Sequence, residues 1–397
     1  MPLDRYAKVG VVGAGAMGSG IAQLAASYGH PVVLHDVSAG ALEKGTTSIA
    51  KNLSRLVEKG RITDEESGTI RALITLSGGD DSGAASLEEF RGCRIVIEAI
   101  VEDIAVKRDL FSNLERVVVN DAILATNTSS LSVTAISRAC KSPDRVIGIH
   151  FFNPPTVMPL VEIVPGLSTS ASVINRSRTF IDSLGKTTVL ASDTPGFIVN
   201  RIARPFYGEA IRIYEEGIAD FATIDWAMRD LGGFKMGPFE LMDFIGNDVN
   251  FAVTRSVFEA MYFDPRYKPS LTQQRLFEAG LFGRKSGRGY YDYSSGRDLP
   301  EPTRDAEVGR QVFDRILAML VNEAADAVLF RVASPADIDT AMTKGVNYPK
   351  GLLAWADELG IQTILDRLEA LHKEYGEDRY RPSALLKRMA ATGRNFH

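Results

Sequence analysis

The hydrophobic pattern changes character once, near residue 195. Before it, short apolar runs occur at 9–12, 32–34, 94–100, 123–125, 146–150 and 160–164, with Ile21, Ala22, Leu24 and Ala25, and later Ile49, Leu53, Leu56 and Val57, at helical spacing between them. Short buried strands alternating with amphipathic helices predict an α/β domain. Residues 77–83 carry no regular pattern and are expected to form a turn or exposed loop. After Thr194-Pro195-Gly196 the residues Phe197, Ile198, Ile202, Phe206, Ala210 and Ile213 keep core spacing and predict a long helix, so the domain boundary falls at 190–196.

The helix-rich part repeats itself. Asp225, Ala227, Met228, Gly237, Asp243 and Gly246 recur 114 residues later as Asp339, Ala341, Met342, Gly351, Asp357 and Gly360; upstream, Arg201-Ile202 recurs as Arg315-Ile316 and Glu209-Ala210 as Glu323-Ala324. Asn200 becomes Asp314, so the second copy has lost an amide and is expected to serve packing. The predicted division is 1–193 for an α/β domain, 194–296 for one all-α domain and 304–397 for its repeat.

The first strand ends in Gly13, Gly15 and Gly18, spaced GxGxxG, and runs into a helical pattern; a second apolar run ends at Asp36. Such a turn brings backbone amides and a helix N-terminus to a pyrophosphate. The acid at the end of the second strand suits ribose hydroxyls and repels a 2'-phosphate, which favours NAD over NADP. A flexible glycine loop beside a surface Asp does not account for this order of strand, turn, helix, strand and acid.

Composition narrows the class. The 397 residues carry 45 basic and 50 acidic side chains, a formal net charge of -5, which gives no footprint for nucleic acid or an anionic membrane. No apolar run approaches the roughly 18 residues of a membrane span, and the N-terminus shows no secretory pattern, so a cytoplasmic protein is expected. Cys93 and Cys140 form neither a metal pair nor a disulfide framework and read as structural thiols. The glycosylation triplets at Asn52 and Asn127 are chance matches in that setting.

Candidate chemistry gathers at strand ends. Among five histidines, His150 alone closes an apolar strand, before Phe151-Phe152-Asn153-Pro154-Pro155, and Glu162 follows twelve residues later in the next apolar run. A hairpin-like return would join their side chains, and the carboxylate would fix the imidazole tautomer and raise its basicity. The plain alternative is a core histidine satisfied by a buried acid. Ser129, after the 123–125 run, is either a ligand contact at the carboxyl edge of the sheet or a helix cap before Leu131. Asn200, in the first turns of the post-boundary helix, is a surface group or an amide for a substrate. The basic face at 41–62, with Arg55 and Lys59, is either solvated or meets a phosphorylated ligand.

Taken together, Gly13 to Gly18 with Asp36, NTSSL at 127–131, GIHFFNP at 148–154, MPLVEIV around Glu162, DTPGFIVNR at 193–201 and GPFELMD at 237–243 resemble the 3-hydroxyacyl-CoA dehydrogenases. The resemblance covers about residues 7–293, and the shorter repeat is similar to the second C-terminal domain of longer members. It implies a Rossmann-type NAD-binding domain followed by two repeated all-α domains, and reversible NAD-dependent oxidation of (S)-3-hydroxyacyl-CoA in acyl-CoA degradation. His150 then matches the catalytic base and Glu162 its partner, while Ser129 and Asn200 match groups that contact the reacting oxygen. Glu102, Lys107, Asn153 and Lys285 match positions lining the NAD site, and Arg55 and Lys59 lie on the helix that approaches CoA. The resemblance implies a homodimer, or a monomer in which the repeat replaces the partner. A dehydrogenase of a free small hydroxy acid would use the same base without needing the basic helix. A non-enzymatic NAD-binding protein would have no need of His150, Glu162, Ser129 and Asn200 together. No hydratase domain is expected ahead of a dinucleotide motif so close to residue 1.

Overall fold

The structure is a computed structural model that describes residues 3, 6–79, 86–294 and 299–397. The chain divides into two compact units, Met1–Thr194 and Pro195–His397. The first holds one eight-stranded sheet: β1 (Val9–Val12), β2 (Val32–Asp36), β3 (Ile74–Gly78), β4 (Ile95–Glu98), β5 (Ile123–Thr126), β6 (Val146–Phe151), β7 (Leu160–Pro165) and β8 (Thr187–Leu190). The spatial order is β3-β2-β1-β4-β5-β6-β7-β8, parallel except where β7 runs antiparallel to β6. The order reverses between β1 and β4, the switch point outside which doubly wound sheets bind their ligands.

Alternation along each strand builds two cores. Val9 and Val11, Ile95 and Ile97, and Ile147 and Ile149 face helices α1 (Ala16–Ser27), α2 (Ala39–Glu58) and α6 (Ala171–Ser183). Val12, Val33, Val96 and Leu124 face Phe111 and Leu114 of α4 (Ile104–Val117) and Ile136 of α5 (Val133–Ser137). Period-two patterning with both faces covered is what a central sheet requires.

Several boundaries move. The basic helix ends at Glu58 rather than 62, and a short helix α3 (Asp64–Ala72) follows, started by a Thr63–Glu66 capping box. Neither α3 nor β3 was legible as an apolar run, because α3 buries only Ile70 and β3 is an edge strand with Thr75 and Leu76 exposed. Ser77 and Gly78, expected in a loop, complete β3; residues 80–83 of that expected loop lie outside the described residues. The expected strand at 94–100 is shorter, with β4 confined to Ile95–Glu98.

In the second unit the expected long helix is broken. Phe197 takes a left-handed φ of 45°, and the helix runs as α7 (Val199–Ile202) and α8 (Arg204–Glu215). Pro205 has no N–H to return to the preceding turn, so the break falls there. In the repeat the matching residue is Met319, and a single 24-residue helix, α13 (Ala306–Leu329), spans the region.

The two copies then match element for element. The first has α9 (Phe221–Trp226), α10 (Pro238–Ile245), α11 (Asn247–Ala260) and α12 (Leu271–Glu278); the second has α14 (Pro335–Gly345), α15 (Leu352–Leu359), α16 (Ile361–Tyr375) and α17 (Ala384–Thr392). Asp225 accepts from the N–H groups of Phe239 and Glu240 at 2.9 and 2.8 Å, and Asp339 does the same for Leu353 and Ala354, at 2.9 Å each. Asp243 accepts from the amides of Tyr290 and Tyr291, and Asp357 from those of Phe396 and His397. The last residue even stands in for Tyr291: its imidazole meets Asp339 at 3.0 Å as the Tyr291 hydroxyl meets Asp225 at 2.7 Å.

Between the copies the contacts are reciprocal. Arg201 donates to Glu323 at 2.6 Å, and Arg315 donates to Glu209 at 3.1 Å; Tyr267 donates to Glu323, and Tyr380 to Glu209. The arginine of each copy thus pairs with the glutamate of the other, the signature of an isologous interface closed within one chain.

Candidate functional site

The Gly-rich turn is shaped for a pyrophosphate. Gly13 has a φ of 102°, and a Cβ there would stand 2.4 Å from the Ala99 carbonyl oxygen; one on Gly18 would stand 1.8 Å from the Gly13 oxygen. A Cβ on Gly15 would meet nothing within 4 Å, which leaves open approach to the backbone at the turn. The following helix has no side-chain cap and no acid in its first turn, so its first amides and dipole are directed at an anion. Asp36, at the carboxyl end of β2, accepts from Ala14 N at 2.8 Å and Ser38 N at 3.0 Å. Those bonds orient the carboxylate beside the turn and leave lone pairs for ribose hydroxyls. The residues present therefore fit a dinucleotide.

At the carboxyl end of β4 lies a polar network in which the sequence reading placed Glu102 and Lys107 but assigned no role to Glu98. Glu98 is fully buried and accepts from Lys107 Nζ at 2.5 Å, Thr126 Oγ1 at 2.7 Å and Ile100 N at 2.8 Å. Lys107 is sealed between Glu98 and Glu102, 3.2 Å from the latter. Glu102 also accepts from Thr128, from Ser129 N at 3.1 Å and from Ser130 Oγ at 3.0 Å. Burial pushes the Glu102 carboxyl up, but the Lys107 charge and these hydrogen bonds outweigh it and hold the group below its usual 4.5. Glu98 was given no role because a carboxylate inside an apolar run gives no spacing signal of its own.

Ser129 follows β5 and is half-buried. It does not cap the next helix: Ser132 does, accepting from Ala135 N at 3.1 Å, while Thr128 Oγ1 closes the turn by accepting from Leu131 N at 2.9 Å. Asp193, also unassigned from sequence, accepts from Ser132 Oγ and from the amides of Val133 and Thr134, which anchors that helix start.

His150 sits on the neighbouring strand, β6, directly opposite Glu162 of β7 in antiparallel register. Opposed residues point to the same face, and Nδ1 of His150 lies 2.6 Å from Oε2 of Glu162. The carboxylate is fully buried and the imidazole nearly so, with the Phe152 ring 4.6 Å from it between centroids. The expected hairpin-like pairing is therefore present. Beyond it the chain turns through a cis Asn153–Pro154 bond, with Asn153 exposed. Arg55 and Lys59 are exposed at the end of α2, where no described acid pairs with them.

Two predicted residues belong to the helical unit. Asn200 lies in α7, and its carbonyl accepts from Arg204 Nε at 2.9 Å. Lys285 is exposed and holds Asp248 at 2.6 Å. Among the described residues no cluster of His, Cys, Asp and Glu could hold a metal ion, and no helix is long and apolar enough to cross a membrane. Burial pushes the free thiols up, Cys93 to about 11 and Cys140 to about 12, so both stay protonated and unreactive.

Comparison with known proteins agrees with this geometry. Residues 8–194 match the family model for the 3-hydroxyacyl-CoA dehydrogenase NAD binding domain, and residues 196–293 and 312–396 each match its C-terminal domain. The chain is 41% identical to a 3-hydroxyadipyl-CoA dehydrogenase of Escherichia coli K12, covering 96% of this chain and 97% of that one. It is also 41% identical to a 3-hydroxybutyryl-CoA dehydrogenase of Bradyrhizobium diazoefficiens, over 75% of this chain and 98% of the relative. A crystal structure of a 3-hydroxybutyryl-CoA dehydrogenase from Escherichia coli K12 superposes with a TM-score of 0.91 at 38% identity, covering 98% of both chains. The chain belongs to the 3-hydroxyacyl-CoA dehydrogenase family of oxidoreductases, and NAD is its cofactor.

Proposed function

We propose that the chain interconverts a short-chain (S)-3-hydroxyacyl-CoA and the 3-oxoacyl-CoA, with His150 as the base and Glu162 as its positioning partner. The observation that carries this reading is the buried His150–Glu162 pair at the carboxyl edge of a sheet whose first turn fits a dinucleotide. Bound NAD supplies the hydride acceptor. With Nδ1 held by Glu162, Nε2 is the nitrogen that takes the 3-hydroxyl proton, and the buried carboxylate stabilises the imidazolium as the ketone forms. Ser129 and Asn200 donate to the oxygen that becomes the carbonyl, orienting it more than moving its proton.

Gly13, Gly15 and Gly18 hold the pyrophosphate and Asp36 the adenosine ribose. Glu102 and Asn153 line the NAD site; Lys107, being sealed, acts through Glu102. Lys285 is assigned to the same cofactor, and Arg55 with Lys59 to the CoA phosphates. The relatives' names supply two acyl ends, the methyl of 3-hydroxybutyryl and the carboxylate of 3-hydroxyadipyl. The helical parts at 194–296 and 304–397 act as an internal pair in which the second copy takes the place of a partner subunit, supported by the reciprocal Arg201–Glu323 and Arg315–Glu209 contacts. A cytoplasmic setting belongs to the same reading, in keeping with two buried free thiols. Kinetics with acetoacetyl-CoA test the cofactor assignment: NADH is expected to be preferred, and a tenfold preference for NADPH, about 1.4 kcal/mol, would overturn it.

A further inference from the structure

The segment from Asn127 to Val133 meets strand β6 at two points, one on either side of His150. Ahead of Ser129, the Oδ1 of Asn127 accepts from the Phe151 N–H at 2.8 Å. After Ser129, Val133 at the start of α5 lies against Gly148, where a Cβ would stand 2.9 Å from Val133 Cγ2. Between these contacts Glu102 accepts from the Ser129 amide at 3.1 Å.

The Asn127 contact takes over where the sheet stops. β5 and β6 pair only as far as Thr126 and Gly148, yet β6 runs on to Phe151, held along its other edge by β7. The Phe151 N–H thus lies beyond the last paired residue of β5, and the Asn127 side chain supplies the acceptor that a longer strand would have given it. Asn127 is itself fixed from behind, its N–H donating to the Glu98 carbonyl at 2.8 Å, so one residue ties the carboxyl ends of β4, β5 and β6 together. An Asn leaving a strand ordinarily bonds its own neighbouring backbone. This one reaches 24 residues along the chain.

We infer that Asn127 is a positioning residue that fixes the spacing between Ser129 and His150. The inference rests on the dehydrogenase reading above, in which those two side chains meet the same substrate oxygen from different strand ends. A base and a donor that share one atom tolerate little relative drift, since a misplacement of about 1 Å costs about a hundredfold in rate. Glu162 holds His150 and Glu102 holds the Ser129 turn, but neither contact joins one to the other. Asn127 does. The plain alternative is that Asn127 only satisfies the N–H of the buried Phe151, in which case its loss lowers stability and nothing else.

The test measures the single-turnover rate of NADH oxidation by acetoacetyl-CoA in the full chain, for wild type, Asn127→Ala, Ser129→Ala and the double variant, with NADH affinity and melting point recorded for each. Asn127→Ala is expected to slow the reaction by about 10–100-fold with NADH affinity unchanged. Asn127→Asp, whose carboxylate also accepts from the Phe151 N–H, is expected to recover part of that loss. In the Ser129→Ala background the Asn127→Ala substitution is expected to cost less than about threefold, because the spacing it guards no longer matters there. Equal losses in both backgrounds, or a lower melting point with an unchanged rate, overturn the inference. Should Asn127→Ala fail to fold, Asn127→Gln replaces it in the same cycle: it keeps an amide but sets the oxygen one methylene farther out, and an unchanged rate or equal losses would again overturn the inference. A wild type inactive with NADH sinks the dehydrogenase reading and takes the inference with it; an active wild type with equal losses sinks the Asn127 inference alone.

Discussion

Glu323→Gln probes the contact between the two helical copies. Glu323 is 1% exposed and is the single carboxylate paired with Arg201, itself 4% exposed, among the described residues. Neutralising it leaves a buried guanidinium without a counter-ion, a change that costs about 3–5 kcal/mol; an amide oxygen that still accepts from Nε keeps the cost near 3. The reciprocal substitution Glu209→Gln is gentler, because Arg315 retains Glu216 at 2.8 Å and Arg379 retains Glu377 at 3.0 Å. What it loses is charge-assisted hydrogen bonding, about 1.5–3 kcal/mol, partly kept by the amide. For a unit of this size, Glu323→Gln translates to a melting point lower by about 6–12 °C. Urea unfolding of the full chain measures both, with unchanged m-values certifying that ΔG is being compared. Arg201→Met combined with Glu323→Gln is expected to be more stable than Glu323→Gln alone, since it removes the orphaned charge. Equal costs for the two single substitutions, or no recovery in the double variant, would refute the reasoning.

Other consequences are equally open to measurement. Gly15→Val is expected to leave the apo melting point close to normal, since a Cβ there meets nothing within 4 Å, while weakening NADH binding in fluorescence titration by at least about tenfold; unaltered affinity would remove the turn from the cofactor site. Asp314→Ala is expected to leave turnover near normal, because Asp314 holds Arg367 at 3.0 Å in the repeat; lost activity with an intact melting curve would contradict a packing role. Because the Glu102 carboxyl is held below 4.5, its contribution to stability is present above that pH and lost as pH falls through the folded value. Wild type should therefore lose more stability than Glu102→Gln on acidification from pH 5 to 3, and parallel losses would count against the network. Sedimentation should give a constant mass of 43.2 kDa if the internal pair replaces a partner, and twice that mass would reject it.

The sheet and its chemistry were legible because buried strands, a Gly-rich turn and terminal polar residues each leave a local mark. His150 and Glu162, twelve residues apart, could be paired because two successive apolar runs imply a return strand, and the register then puts the side chains on one face. The repeat was legible as identities at one spacing, but its working was not. Glu209, Arg266, Tyr267 and Arg379 are polar residues in helical sequence, and only folding reveals that they meet across the copies. Arg204 was silent for the opposite reason: a basic residue on a helix reads as solvated, whereas this one is buried on Thr254 and the Asn200 carbonyl with no carboxylate paired to it among the described residues. Edge strand β3 and helix α3 were missed because each buries a single side chain.

The central claim is that His150 moves the proton, and acetoacetyl-CoA-dependent NADH oxidation by wild type and His150→Gln tests it most directly, with NADH affinity and melting point recorded for each. Removing a general base costs about 10²–10⁴-fold, so turnover is expected to fall by at least two orders of magnitude while cofactor affinity and stability hold, with Glu162→Gln giving a smaller loss. Near-wild-type turnover by His150→Gln would contradict the account.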